Sequence, residues 1–146
     1  MGIVGIGRKL FIITFTYFCL MVYLHFQFYP YFLIKTTWTW FFGVLLIISG
    51  FLFLFRAVRV LFAALNSEEL ATSGPFAIFS NPMYAAWILF IIPGFSFFIY
   101  SWLPLTSSLV MYICLRIFIK EEEDSLREKF GDRYDEYRKN VLIKLL

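Results

Sequence analysis

The chain has 146 residues, of which 61% are hydrophobic and 23% aromatic, and its formal net charge is +3. Its mean hydropathy of +0.77 lies outside the range of ordinary soluble domains. A globule of this size has no interior large enough for so many apolar residues, so the composition excludes a soluble enzyme and predicts a single integral membrane domain over residues 1–146.

The first predicted element follows Arg8 and Lys9 and is an uncharged stretch covering residues 10–34. At about 1.5 Å per residue, a helix of this length crosses a hydrocarbon core of about 30 Å. A cleaved signal peptide also has a basic start, but its apolar region is shorter and ends in small residues, whereas this one is long and aromatic. We therefore expect a membrane-spanning helix here.

Three residues with reactive side chains lie inside apolar stretches: His25, Cys19 and Cys114. An ionisable residue inside a span is a functional candidate by default. His25 has no acidic neighbour in the sequence, so we expect it to have a structural role. The cysteines lack a Cys-x-x-Cys spacing, which favours buried packing over a metal site or a disulfide.

The second predicted span covers residues 38–62 and contains Arg56 and Arg59 near its end. Long cationic side chains can reach from a helix toward lipid phosphates, so the arginines do not end the helix. We expect it to continue to about Asn66.

A polar connector follows at residues 66–82. Pro75 and Pro82 each exclude a continuous helix through this region, so we expect irregular backbone at the membrane surface. Such backbone needs partners for its free amide and carbonyl groups, and a bound cofactor can supply them.

Two further spans are predicted at residues 83–100 and 103–119, joined by a short uncharged turn. Pro93 lies inside the third span and predicts a kink. The fold expected from this pattern is an all-α integral membrane protein with about four transmembrane helices, of which the third and fourth form a hairpin.

Charges predict the orientation of these spans. With four crossings both termini share one side, and that side holds most of the cations near the span ends, Arg8, Lys9, Arg56, Arg59, Arg116 and Lys120, against Lys35 on the other side. The excess of cations predicts that both termini are cytosolic.

The C-terminal segment, residues 120–146, carries an apolar stripe at helical spacings, formed by Leu126, Phe130, Tyr134, Tyr137 and Val141. This pattern predicts a cytosolic amphipathic helix lying on the membrane surface. Gly131 interrupts the pattern, and a glycine inside a helix predicts a break.

Two groups of motifs flank the predicted hairpin. They are Gly74-Pro75-Phe76 with Asn81-Pro82-x-Tyr84, and Glu122-Glu123-x-x-Leu126 with Phe130-Gly131-x-x-Tyr134-x-x-Tyr137. Their order and spacing resemble the isoprenylcysteine carboxyl methyltransferase and phospholipid methyltransferase family of integral membrane enzymes. The resemblance covers about residues 70–141 and implies S-adenosylmethionine as the cofactor, a lipid bilayer and a lipidic or prenylated acceptor as partners, and neither nucleic acid nor metal.

The resemblance implies one group of cofactor-binding residues in and after the connector: Leu70, Ala71, Gly74, Phe76, Asn81, Pro82, Tyr84 and Trp87. It implies a second contribution from Glu122, which matches the first glutamate of the family's pair and is also a catalytic candidate. Successive helical residues point about 100° apart, so we expect only one carboxylate of Glu122 and Glu123 to face the pocket.

Two positions depart from the family's pattern. Ser80 and Phe118 stand where members carry arginines, and an arginine near the reacting methyl group would hold an anionic acceptor by paired hydrogen bonds. Arg116 flanks position 118, which makes it the second catalytic candidate.

Four functions remain open at this point. Isoprenylcysteine carboxyl methylation is the closest match, and N-methylation of a phospholipid amine comes second. A carboxylate acceptor is already ionised, whereas an amine must lose a proton to a base such as Glu122 or Glu123. The third function is that of an NADPH enzyme similar to sterol reductases, and the fourth is that of a noncatalytic membrane scaffold.

Overall fold

The computed structural model describes residues 2–33 and 36–144. Its first two helices are α1, Gly2–Phe28, and α2, Thr36–Asn66. Within the described residues, two stretches are long and apolar enough to cross a membrane, Gly7–Phe28 and Thr36–Asn66. Helix α2 ends at the predicted residue. Residue 34, the predicted end of the first span, and Lys35 lie outside the described residues.

The connector contains only short helices, because prolines and a glycine punctuate it. Helices α3, Pro75–Ile78, and α4, Pro82–Ala86, each begin with proline, whose missing N–H costs nothing at the first position of a helix. Gly74 has a φ of 58°, which L side chains rarely adopt. The predicted irregular backbone is therefore confirmed between α2 and α4.

The predicted kink at Pro93 takes the form of a π-helical turn. Trp87–Ile91 form this turn, and helix α5, Ile92–Phe98, continues from it. Proline cannot donate the backbone hydrogen bond that an α-helix requires at its position, and the wider turn lies directly before it.

The fourth span was predicted at residues 103–119, whereas helix α6, Thr106–Phe130, begins three residues later and continues beyond Ile119. No proline or glycine follows Ile119 until Gly131, so the helix continues out of the apolar stretch and carries Glu122 and Glu123 with it. Gly131, at a φ of 53°, makes the predicted break, and helix α7, Asp132–Asn140, follows.

Glycines allow α2 and α5 to pack closely. A Cβ at position 43 would lie 2.6 Å from the backbone nitrogen of Phe98, and one at position 94 would lie 2.9 Å from the backbone nitrogen of Ile47. Small residues are the usual means by which membrane helices approach each other. Helix α1 packs along α6, and the core between these layers is formed by Leu10, Ile88, Ile92, Met111, Leu115 and Ile119.

Contacts at the helix ends show that the long helical segments alternate in direction. At one end, Gly7 lies beside Tyr84, and Gly74 lies beside Val60. At the other end, Tyr31 pairs with Ser101 through a β-bridge. We call the end with Gly7 and Tyr84 the cleft end, because the cleft described below lies there, and the end with Tyr31 and Ser101 the far end. His25 is buried near the far end among the rings of Phe26, Tyr29 and Tyr31, whereas Cys19, predicted to be buried, is exposed on α1.

The C-terminal segment folds back onto the connector, so the predicted helix on the membrane surface is not confirmed. Gly131 divides the apolar stripe between α6 and α7, and beyond α7 the backbone of Ile143 pairs with Phe79. The Ile143 amide donates to the Ile78 carbonyl at 2.8 Å, and the Ser80 amide donates to the Ile143 carbonyl at 3.2 Å. Tyr134 and Val141 of the stripe are buried, so this part of the stripe packs against protein.

Candidate active site

A cleft lies at the cleft end of the molecule, bounded by the end of α2, the connector, α4, α6 and α7. It holds about 890 Å³ of empty space, including its open mouth. The lining residues are Leu61, Ala64, Leu65, Glu69, Leu70, Ala71, Phe76, Ser80, Asn81, Pro82, Met83, Tyr84, Glu122, Glu123, Leu126, Lys129, Phe130, Tyr134 and Tyr137. Both motif groups found in the sequence therefore meet around one space.

Glu122 enters this cleft from α6 and accepts a hydrogen bond from the Tyr84 hydroxyl of α4, with an oxygen–oxygen distance of 3.4 Å. Burial raises the pKa of Glu122 to about 7, the Tyr84 hydrogen bond opposes this shift, and the neighbouring charge of Glu123 adds to it. Gly7 of α1 lies against the same tyrosine hydroxyl. Glu122 can therefore exchange a proton near neutral pH.

Glu123 also borders the cleft, which corrects the prediction that only one of the two carboxylates would face the pocket. The cleft wraps around α6, with the connector on one side and α7 on the other, so side chains about 100° apart both reach it. Glu123 forms an ion pair with Arg138 of α7. This ion pair fastens α7 to α6 and partly neutralises the Glu123 charge.

Two tyrosines of α7 complete the cleft wall. Tyr137 donates a hydrogen bond to the Phe76 carbonyl at 2.8 Å, which ties α7 to the connector. Burial raises the pKa of Tyr134 to about 12, with Glu123 adding to the shift, and burial also raises the pKa of Tyr137 to about 12. Both phenols therefore stay neutral at physiological pH.

Most of the residues implied by the resemblance surround the cleft: Leu70, Ala71, Phe76, Asn81, Pro82, Tyr84 and Glu122. Three do not line it. Gly74 turns the backbone before α3, and Trp87 packs edge-on against Phe11 of α1 with a ring separation of 5.3 Å. Arg116 is exposed on the surface of α6.

Several other residues that line the cleft were not predicted from the sequence as site residues. Leu126, Phe130, Tyr134 and Tyr137 were recognised as a stripe but assigned to the membrane surface. Leu61, Ala64 and Leu65 come from the end of α2, where their apolar character resembles that of any lipid-facing residue. Gly131 was a usable signal, because a glycine within the stripe marks a change of chain direction. Such a change indicates that the later stripe residues can fold back toward the protein.

The charges of the lining favour a cationic ligand. Glu69, Glu122 and Glu123 border the cleft, and among the described lining residues Lys129 is the sole cation. Lys129 lies over the ring of Phe130, with its nitrogen 5.2 Å from the ring centre. Within residues 2–33 and 36–144, no cluster of histidine, cysteine or acidic side chains could hold a metal ion.

A family model described as phospholipid methyltransferase matches residues 38–133, which include α2, the connector, the hairpin and the Glu122 region. No curated protein and no solved structure matches the chain. The matched family is one of membrane methyltransferases, in agreement with two helices long enough to cross a bilayer. The chain belongs to the phospholipid methyltransferase family.

Proposed function

We propose that this protein is a membrane methyltransferase that binds S-adenosylmethionine in the cleft and methylates the amine of a phospholipid. The observation that carries the proposal is Glu122, which is partly buried, hydrogen-bonded by Tyr84, and has a pKa of about 7 in a predominantly acidic cleft. The match to the phospholipid methyltransferase family supports the reaction class.

The cleft residues fit the chemistry of this cofactor. Its sulfonium and amino groups are cationic, and Glu122 and Glu69 offer negative charge. The ring of Phe76 offers an apolar face to the adenine, and the amide side chain of Asn81 offers both a donor and an acceptor. Glu122 and the connector residues from Leu70 to Tyr84 would hold the cofactor.

S-adenosylmethionine supplies an electrophilic methyl group when bound. An amine acceptor must lose a proton before its nitrogen can attack that methyl group, and Glu122 would accept this proton. Tyr84 holds the Glu122 carboxylate by its hydrogen bond, and the walls formed by Tyr134 and Phe130 exclude water. The protein mainly aligns the reactants.

The charge of the cleft favours an amine over a carboxylate acceptor. Isoprenylcysteine carboxyl methylation, the closest match in the sequence, needs a cation beside an acceptor carboxylate. Positions 80 and 118 carry serine and phenylalanine, and Arg116 is exposed outside the cleft. Lys129 is the one cation among the described lining residues, so we place the prenylated acceptor second.

We further propose four membrane crossings with both termini in the cytosol, formed by α1, α2, the Pro82–Phe98 segment and the apolar part of α6. The alternating direction of these segments supports this topology. So do the cations Arg8, Arg56, Arg59 and Lys120, which lie toward the cleft end on their helices.

Methyl transfer in reconstituted vesicles tests the proposed function. Radiolabelled S-adenosylmethionine is offered with phosphatidylethanolamine or with farnesylated cysteine. We expect N-methylated phospholipid, and we expect Glu122→Gln to lose roughly 100-fold or more of the rate because an amide accepts no proton. Glu121→Gln, an exposed neighbour outside the cleft, is the matched control. Methyl ester formation on farnesylated cysteine alone would overturn the proposed acceptor.

A further inference from the structure

A second, wholly different space lies in the apolar part of the molecule, between α1 and α2 and against the π-helical turn, α5 and α6. We call it the groove, and it holds about 780 Å³ of empty space including its mouth. Its walls include Phe11, Phe15 and Phe18 of α1, Phe51 of α2, Trp87 and Phe95. Thr14 is the one polar residue among its described lining residues, so the groove suits a hydrocarbon chain.

The groove and the cleft are bordered by residues about one helical turn apart. Tyr84 borders the cleft and Trp87, about one turn later, borders the groove. Helix α1 runs alongside these two residues, because Gly7 lies against the Tyr84 hydroxyl and Phe11 packs edge-on against Trp87 with a ring separation of 5.3 Å. The groove and the Tyr84–Glu122 pair therefore lie about one helical turn apart along α1 and along the Pro82–Phe98 segment.

The cation Arg8 lies on α1 about one turn before Phe11, which lines the groove. Arg8, Phe11, Phe15 and Phe18 recur at spacings of three, four and three, which places them on one face of α1. Arg8 is exposed and forms no ion pair with any residue in the described part of the chain. Lys9 is also exposed but points about 100° away from Arg8 around the helix.

We propose that the groove binds an acyl chain of a glycerophospholipid and that Arg8 holds its phosphate, which presents the headgroup amine to Glu122. The inference rests on the proposed function and names how its acceptor is held. From Arg8 to Phe18 the helix rises about 15 Å, which is roughly the hydrocarbon thickness of one leaflet.

The charges match the order of charges in a zwitterionic phospholipid headgroup. A phosphatidylethanolamine headgroup carries a phosphate next to the glycerol and an amine beyond it. Arg8 at the groove and the acids Glu69 and Glu122 in the cleft follow in the same order. Guanidinium binds phosphate through paired hydrogen bonds.

Photolabelling in detergent tests the proposal. Phosphatidylethanolamine with a diazirine in one acyl chain is titrated into the protein, and the labelled peptides and the apparent Kd are measured. Arg8→Gln is compared with Lys9→Gln, an equal loss of charge on another face. Thr14→Phe, which fills the groove, is compared with Thr14→Val, which keeps the shape. S-adenosylmethionine binding is measured in every preparation.

We expect labels on α1 and the Trp87–Phe95 region, a Kd raised roughly tenfold by Arg8→Gln through loss of a charged hydrogen bond, and little change in Lys9→Gln. We expect Thr14→Phe, but not Thr14→Val, to remove the label. Labels spread over all outer helix faces, or equal effects of Arg8→Gln and Lys9→Gln, would overturn the inference. Labelling of the groove without S-adenosylmethionine binding would instead contradict the proposed function alone.

Discussion

Glu122 and Tyr84 meet from α6 and α4 at the centre of the cleft, and their contact sets the chemistry available there. The raised pKa of Glu122, about 7, has burial as its main cause. A carboxyl group with this pKa is protonated in a substantial fraction of molecules at neutral pH. It can accept a proton from an amine, and it offers full negative charge only above neutrality.

The affinity for S-adenosylmethionine should therefore depend on pH. A cationic ligand stabilises the ionised form of Glu122, so binding releases a proton below pH 7 and strengthens as the pH rises through about 7. Between pH 6 and pH 8 we expect the Kd of the wild type to fall roughly tenfold. Calorimetry in buffers of different ionisation enthalpy measures both the Kd and the released proton. Glu122→Gln should show a flat profile, and a flat profile in the wild type would contradict this role of Glu122.

At the scale of helices, close packing of α2 against α5 positions the hairpin that carries Tyr84. Gly43 lies against the backbone of Phe98 and Gly94, where a Cβ would come within 2.6 Å and 2.9 Å of backbone atoms. Backbone cannot rotate away as a flexible side chain can, so α2 and α5 would have to separate.

Gly43→Ala should destabilise the protein by roughly 1–3 kcal/mol or more through overpacking. Thermal unfolding in detergent should show a lower Tm, with loss of the close α2–α5 contact. Leu45→Ala, at an exposed position on the same helix, is the control and should change the Tm less. A Tm for Gly43→Ala equal to that of the wild type would contradict the packing described here.

Local backbone chemistry explains which elements could be predicted from the sequence. The end of α2 at Asn66, the helix starts at Pro75 and Pro82, and the break at Gly131 all depend on the residue at that position. The return of the tail to the connector could not be predicted in this way. It depends on pairing between Phe79 and Ile143, which are far apart in the sequence.

For the site too, features that depend on local motifs could be predicted, whereas features that depend on contacts between distant segments could not. Motif spacing brought out Glu122, Tyr84 and Asn81, which the structure places around one cleft. Trp87 was expected beside them but packs on Phe11 of α1, a contact set by the register between distant helices. Glu123 borders the cleft because α7 packs beside it and supplies Arg138. The periodicity of α6 alone does not predict the position of α7.

For the whole molecule, the cleft lies at one end of the bundle and the groove lies in its apolar part. Gly7 near the N-terminus and Ile143 near the C-terminus both lie at the cleft end, beside Tyr84 and Phe79 respectively. Both ends of the described chain therefore lie on one side of the bundle.

Labelling of single cysteines tests the proposed orientation. In a background with Cys19 and Cys114 replaced by alanine, Ser67→Cys reports the cleft end and Trp102→Cys reports the far end. With an impermeant maleimide we expect Ser67→Cys to react from the cytosolic side and Trp102→Cys from the opposite side. Reaction of both from one side would contradict the proposed crossings.

Calorimetric titration of the detergent-solubilised protein with S-adenosylmethionine at pH 8 tests the central claim most directly. Glu122→Ala, Glu121→Ala and a parallel titration with NADPH complete the experiment, and unfolding curves verify that each variant is folded. We expect the wild type and Glu121→Ala to bind S-adenosylmethionine, Glu122→Ala to bind it roughly tenfold more weakly or worse, and NADPH not to bind. Folded wild-type protein that binds NADPH, or neither ligand, would contradict the account in favour of a reductase or a noncatalytic scaffold.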